Sequence, residues 1–118
     1  MHPEISELPS KVFYNSQLLD GPDMAKKTAA VWHSDDAFGP YRFFNVEGQE
    51  TQGSGTSTKN PAEALVAVDL FRRLELEVGL KVNLDQRIGV ITMYKDQLTE
   101  LKRAFTRAFG ESILTRIE

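Results

Sequence analysis

The stretch Ile91-Thr92-Met93-Tyr94-Lys95-Asp96-Gln97 sets a hydroxyl, an aromatic ring, an ammonium and a carboxamide within six residues. Such groups grip a sugar–phosphate backbone and stack on, or flank, a base. They fall where a β-favouring run gives way to an amphipathic helix. In parallel α/β sheets that is the place where ligands bind, at the carboxyl end of a strand. An ordinary junction, with Thr92 capping and Tyr94 packing, accounts for the same residues.

A second candidate is the Gly-rich stretch Glu47 to Lys59. Gly48 and Gly53 have the G-x-x-x-x-G spacing of a phosphate-binding loop, and a helix follows. That loop needs a lysine directly after the second glycine and a hydroxyl beside it for Mg²⁺. Ser54 stands in the lysine's place and Lys59 is too far along, which excludes the nucleoside-triphosphate form. Thr56, Ser57 and free amides before a helix can still hold an anionic group. A flexible surface loop ahead of a good N-cap explains them equally well. His33-Ser34-Asp35 has the letters of a hydrolase triad, but adjacent residues cannot converge on one substrate atom. Two histidines, His2 and His33, and no cysteine predict no metal site.

The elements that must position these groups are legible in part. Pro3 suits a first helical position, and Pro9 predicts a break between two short helical pieces over Pro3 to Tyr14. Ile5, Leu8, Val12 and Phe13 form their apolar stripe. Asp20-Gly21-Pro22 is a turn signal, Ala25 to Pro40 reads as loop, and Tyr41 to Val46 has strand composition. Asn60 as N-cap, Pro61 at N1 and Glu63 at N3 of a capping box predict a helix over about 61–77, with Gly79 just past its end. Its broad face, Leu65, Val68, Phe71, Leu74 and Val78 flanked by Ala64, Ala67 and Leu70, requires a sheet to cover it. Arg87 to Met93 reads as a strand buried on both faces. Tyr94 to Phe109 reads as a helix with Leu98, Leu101, Phe105 and Ala108 inward, stopped by Gly110. Ile113 to Ile117 reads as the start of a further strand. The alternation predicts an α/β fold with a parallel sheet.

Composition narrows the class without naming it. The 118 residues carry a net charge of −3, with 41% hydrophobic and 26% charged residues, ordinary for one globular domain. The balance argues against holding nucleic acid by bulk charge alone. It is uneven, however: residues 1–86 sum to −5 and residues 87–118 to +2. The basic tail begins at the Thr92 junction. No run approaches the ~20 apolar residues of a membrane span, so no membrane partner is expected. The absence of cysteine excludes a disulfide framework and fits a reducing compartment.

In motif order the chain resembles the second RecA-like domain of superfamily 1 helicases of the senataxin and nonsense-mediated-decay type. Met1-His2-Pro3, Leu8-Pro9-Ser10, Phe13-Tyr14 and Leu19-Asp20-Gly21 match its opening elements. Gly55-Thr56-Ser57 with Asn60 and Glu63-Ala64 is similar to its Ser-rich loop and Asn-x-x-Glu helix start. Ile88-Gly89-Val90-Ile91-Thr92-Met93-Tyr94 with Gln97 is similar to its Ile-Gly-Ile-Ile-Thr-Pro-Tyr-x-x-Gln element. Asp20-Gly21-Pro22, Pro40-Tyr41-Arg42-Phe43-Phe44 and Ala108-Phe109-Gly110 lie nearest the senataxin type.

The resemblance implies that residues 1–118 form part of a RecA-like three-layer α/β domain, a parallel sheet flanked by helices, incomplete at both ends. It implies a parent 5′-to-3′ helicase that uses ATP and Mg²⁺ on single-stranded RNA or DNA and on RNA–DNA hybrids. The partner would be the first RecA-like domain of the same protein, and the work nuclear, at transcription termination and R-loop removal. Gly55, Thr56, Ser57, Thr92, Tyr94, Lys95 and Gln97 would line the strand, and His2 and Pro3 would sit beside the ATP cleft. No catalytic residue is expected in this chain, nor ATP or Mg²⁺ bound by it alone. The family's arginine ahead of Met-His-Pro is not in this sequence, and Met93 replaces a proline, which frees one φ. Two alternatives come from other classes. One is a non-catalytic α/β interaction module docking through the helix at 61–77; the other is a small nucleotide-binding regulator.

Overall fold

A computed structural model of the chain describes residues 1–53 and 55–118; Ser54, the residue in the lysine's place, lies outside them. Two compact units are formed by residues 1–44 and 45–118.

In the first unit, helix α1 spans Pro3–Phe13 without interruption. The two pieces expected on either side of Pro9 are one helix. A proline removes a single donor, and the turns beside it stay bonded, Ser6 N–H to His2 O at 3.1 Å and Tyr14 N–H to Ser10 O at 3.1 Å. His2 is the N-cap, its Nδ1 accepting from Glu4 N–H at 3.2 Å. The expected apolar stripe does not face inward: Leu8, Val12 and Phe13 are exposed, while Ser6 and Ser10 are buried. Hydrogen bonds decide that face. Ser6 Oγ donates to Asp20 Oδ1 at 2.6 Å, and Ser10 Oγ accepts from Leu18 N–H at 3.3 Å, fastening the returning chain to α1. The segment read as loop, Ala25 to Pro40, begins inside a short helix, α2 (Met24–Lys27), and holds a 3₁₀ turn at Val31–Ser34. Tyr41 to Phe44 forms no strand.

On the exposed side of α1, Lys11 Nζ lies 2.6 Å from Glu7 Oε1. The hydrogen bond and charge of Lys11 hold the Glu7 carboxyl below its ordinary pKa. The pairing is present above the unfolded-state value and is lost as pH falls through the depressed one. Lys11→Ala should return Glu7 to the usual carboxylate range, as read from its side-chain carbon shifts across an acid titration; an unchanged midpoint would remove Lys11 as the cause.

In the second unit, α3 spans Pro61–Val78 and α4 spans Lys95–Phe109, packed against each other. The cover of α3 is a helix and not the expected sheet: Ala64, Val68 and Phe71 meet Leu101 and Phe105 of α4, with Ile113 sealing the contact, and Leu65, expected inward, is exposed. Phe71, Phe105 and Phe109 form an aromatic cluster with centroids 5.2–6.1 Å apart. The inward stripe of α4 is rotated from the expected one. Leu98 and Ala108 are exposed; Gln97, Leu101 and Phe105 are buried. Their spacing of four continues one helical face, and a hydrogen-bonded glutamine occupies its first position.

The sheet is small. Within the stretch read as loop, β1 (Thr51–Gln52) pairs antiparallel with β2 (Thr58–Lys59). The expected strand 87–93 contributes one parallel bridge, Ile88 to Ile117. Around it Gln86 N–H donates to Arg116 O (2.7 Å), Glu118 N–H to Ile88 O (3.1 Å) and Val90 N–H to Glu118 O (2.7 Å). The pairing is parallel as expected, but burial on both faces is overturned: Ile91 and Met93 are 97% and 94% exposed. The C-terminal strand is overturned as well, since Ile113–Arg116 is a helical turn, α5. It carries Ile113 into the core and brings Arg116 to Glu75 at 2.7 Å and Asp85 at 2.5 Å. Those two carboxylates raise the already high pKa of the Arg116 guanidinium. Among the described residues the three-layer parallel sheet is therefore reduced to this bridge.

Candidate nucleic-acid interface

α3 and α4 begin side by side, and the way each N-terminus is capped builds the site. Asn60 caps α3: its Oδ1 accepts from Ala62 N–H at 3.1 Å and Glu63 N–H at 3.4 Å. In a capping box the N3 glutamate would accept from the cap's own N–H. Here Asn60 N–H donates instead to Gln97 Oε1 at 2.7 Å, and Gln97 Nε2 donates back to Asn60 O at 3.1 Å. The carboxamide of Gln97 thus pairs with a backbone amide as a neighbouring strand would. α4 has the complementary need, because its N-cap, Tyr94, supplies no side-chain acceptor. Ser57 supplies it, its Oγ accepting from Asp96 N–H at 3.1 Å.

Each helix start is therefore completed by a residue more than 35 positions away. Lys59 adds an ion pair to Glu100 of α4 at 3.3 Å. Gly53 is needed for close approach, since a Cβ there would collide with the Asp96 carboxylate. Gly55, at φ +69°, turns the hairpin tip.

Beside these caps lies a polar cleft of about 220 Å³, lined by Thr92, Tyr94 and Gln97 on one side and by Thr58, Lys59 and Asn60 on the other. Glu50 and Glu63 also reach it. With two carboxylates present and Lys59 ion-paired, the cleft is not a phosphate cradle by itself. Its chemistry suits hydroxyls, amides and base edges, with the exposed Lys95 beside it for a phosphate. Thr92 Oγ1 accepts from Tyr94 N–H at 3.3 Å, which fixes the turn and leaves the hydroxyl proton for a further partner.

Of the residues singled out by sequence, Thr92, Tyr94 and Gln97 share this cleft, Lys95 follows at the first turn of α4, and Ser57 is bonded to that turn. Gly55 and Thr56 sit at the exposed hairpin tip. The bonds of Gln97 are turned inward, so its carboxamide is engaged with Asn60. His2 and Pro3 start α1 in the first unit. His33 Nδ1 accepts from Ala30 N–H, Ser34 Oγ donates to Val31 O and Asp35 Oδ1 accepts from Ala37 N–H, while the His33 ring lies 5.9 Å from that of His2. Sequence reading missed the reciprocal capping. Its one advance signal was an N-cap motif at Asn60, without any equivalent at Tyr94.

The same chain matches an AAA domain family across residues 1–118. It belongs to that family and, within it, to the superfamily 1 helicase group. Its relatives include helicases of the Sen1 type. "Helicase sen1" of Schizosaccharomyces pombe is 46% identical over 118 residues, covering all of this chain and 7% of that protein. "Helicase SEN1" of Saccharomyces cerevisiae is 35% identical over 120 residues, covering all of this chain and 5% of that protein. "Probable helicase MAGATAMA 3" of Arabidopsis thaliana is 34% identical over 113 residues, covering 93% of this chain and 14% of that protein. The chain spans only a small part of each of these relatives. Family membership implies a RecA-like α/β fold, which agrees with the single parallel bridge and the helices beside it.

Proposed function

We propose that residues 1–118 form part of the second RecA-like domain of an ATP-dependent 5′-to-3′ helicase of senataxin type. The cleft beside the two helix starts serves as part of its single-strand groove, on RNA, DNA or an RNA–DNA hybrid. Thr92 and Tyr94 meet the strand from the junction, and Lys95 neutralises a phosphate. Gly55, Thr56 and Ser57 approach from the hairpin tip. His2 and Pro3 form part of one wall of the ATP cleft, which is completed by the first RecA-like domain. ATP and Mg²⁺ belong to the parent enzyme. Among the described residues no three His, Asp or Glu side chains are grouped to hold a metal ion. No helix among them is long and apolar enough to cross a membrane. The parent is proposed to act in the nucleus, in transcription termination and R-loop resolution.

The observation that carries the reading is the convergence of the Thr92 junction and the Ser57 hairpin through the bonds to Asp96 and Gln97. In the full-length protein, Thr92→Ala and Lys95→Ala should each weaken RNA affinity by about threefold to tenfold, the loss expected for one polar or charged contact. RNA-stimulated ATP hydrolysis should then need correspondingly more RNA. Full stimulation at the original RNA concentration in both variants would remove this junction from the groove.

A further inference from the structure

We infer that Gln97 is a positioning residue that makes the hairpin tip and the Thr92 junction act on a nucleic-acid strand as one unit, an inference that rests on the proposed function of the cleft.

The two segments are separated by more than thirty residues of sequence, and each is too short to hold itself in place. β1 and β2 are two residues long, and an isolated hairpin of that size is marginal at best. The junction is one turn with exposed residues on both sides of Thr92. Gln97 is 6% exposed, and it takes both the N–H and the C=O of Asn60, the residue directly after β2. Ser57 returns the link by accepting from Asp96 N–H. These bonds form a closed ring through 57–60 and 96–97, so movement of the hairpin relative to α4 must break several part-buried hydrogen bonds together. A glutamine suits this ring because one carboxamide both donates and accepts at fixed separation. Although Gln97 lines the cleft, both polar atoms of its carboxamide are bonded to Asn60, so it would act on the strand through the segments it aligns.

The test is a double-mutant cycle on single-stranded RNA binding by the full-length protein. Thr56→Ala represents the tip and Thr92→Ala the junction. In a wild-type Gln97 background the double variant should depart by about fivefold from the product of the two single losses, a coupling typical of sites within one network. In Gln97→Met the two losses should multiply independently. Gln97→Glu supplies a second, near-isosteric variant. At pH 8 its carboxylate faces Asn60 O and cannot donate, so coupling should be lost. On acidification the protonated acid restores the donor, and coupling should return. Coupling that persists in Gln97→Met, or a Gln97→Glu cycle that does not change with pH, would overturn the inference. So would the absence of coupling in the wild-type background. If neither Thr56→Ala nor Thr92→Ala alters RNA affinity, the groove assignment itself fails, an outcome distinct from two real but independent losses.

Discussion

Phe105→Ala is expected to lower the unfolding free energy of the chain by about 3–5 kcal/mol. Phe105 is 5% exposed and packs against both Phe71 and Phe109, at centroid distances of 5.9 and 6.1 Å. Its removal takes away the transfer energy of a buried ring and leaves a cavity between α3 and α4. Few other apolar groups are available to fill that space, because the core is one helix pair sealed by Ile113. Domains of ordinary stability unfold at a cost of about 5–15 kcal/mol, so the loss is a large share of the total. Urea titration should show a lower midpoint with little change in slope. Leu76→Ala on the solvent side of α3 is the control; at 80% exposure it should stay within about 0.5 kcal/mol of wild type. A loss below about 1 kcal/mol for Phe105→Ala would mean that the aromatic cluster is not the main support of this unit.

The second large effect is on catalysis. The purified 118-residue chain should release no phosphate from ATP above the rate without protein, with or without RNA. Phosphoryl transfer needs a phosphate cradle with its lysine, a held Mg²⁺ and an arginine on the developing charge, acting together. The Gly48–Gly53 spacing carries no such lysine. Gly48 instead packs against Asn60 and Ala62 at the start of α3. RNA binding by the chain alone should be weak and fall steeply with salt, each neutralised phosphate adding about −0.7 to the log–log slope. Turnover that follows the protein through purification would place a complete nucleotide site within these residues and overturn the division of labour proposed above.

The two long helices and their stops were legible because local rules act there without competition. Asn60-Pro61 and Gly110 mark their places by capping chemistry and backbone freedom; of the expected stripe Val68, Phe71 and Val78 are buried, but Leu65 is 60% exposed because the packed face is turned toward Ala64. The strand expectations were less secure, because a strand exists only through its neighbours. Ile113 to Ile117 has β-favouring composition, yet the turn at 113–116 puts Ile113 into the core and Arg116 between Glu75 and Asp85. Likewise α1 buries Ser6 and Ser10 in preference to Leu8 and Val12, because Asp20 and Leu18 return to bond with those serines.

The charge split and the junction motif show the same boundary. By itself the sequence determined which groups were available: the Thr92–Gln97 set at the head of a basic helix, the Gly-rich approach to Asn60, and the absence of cysteine. It also determined the family, through the order of short motifs. Only the tertiary structure decided that Gln97 turns inward to Asn60 and that Ser57 caps a helix it does not belong to. Side-chain hydrogen bonds between segments distant in sequence have no periodicity and no composition signature. They arise when α3 and α4 pack and bring two incomplete helix starts within reach of each other.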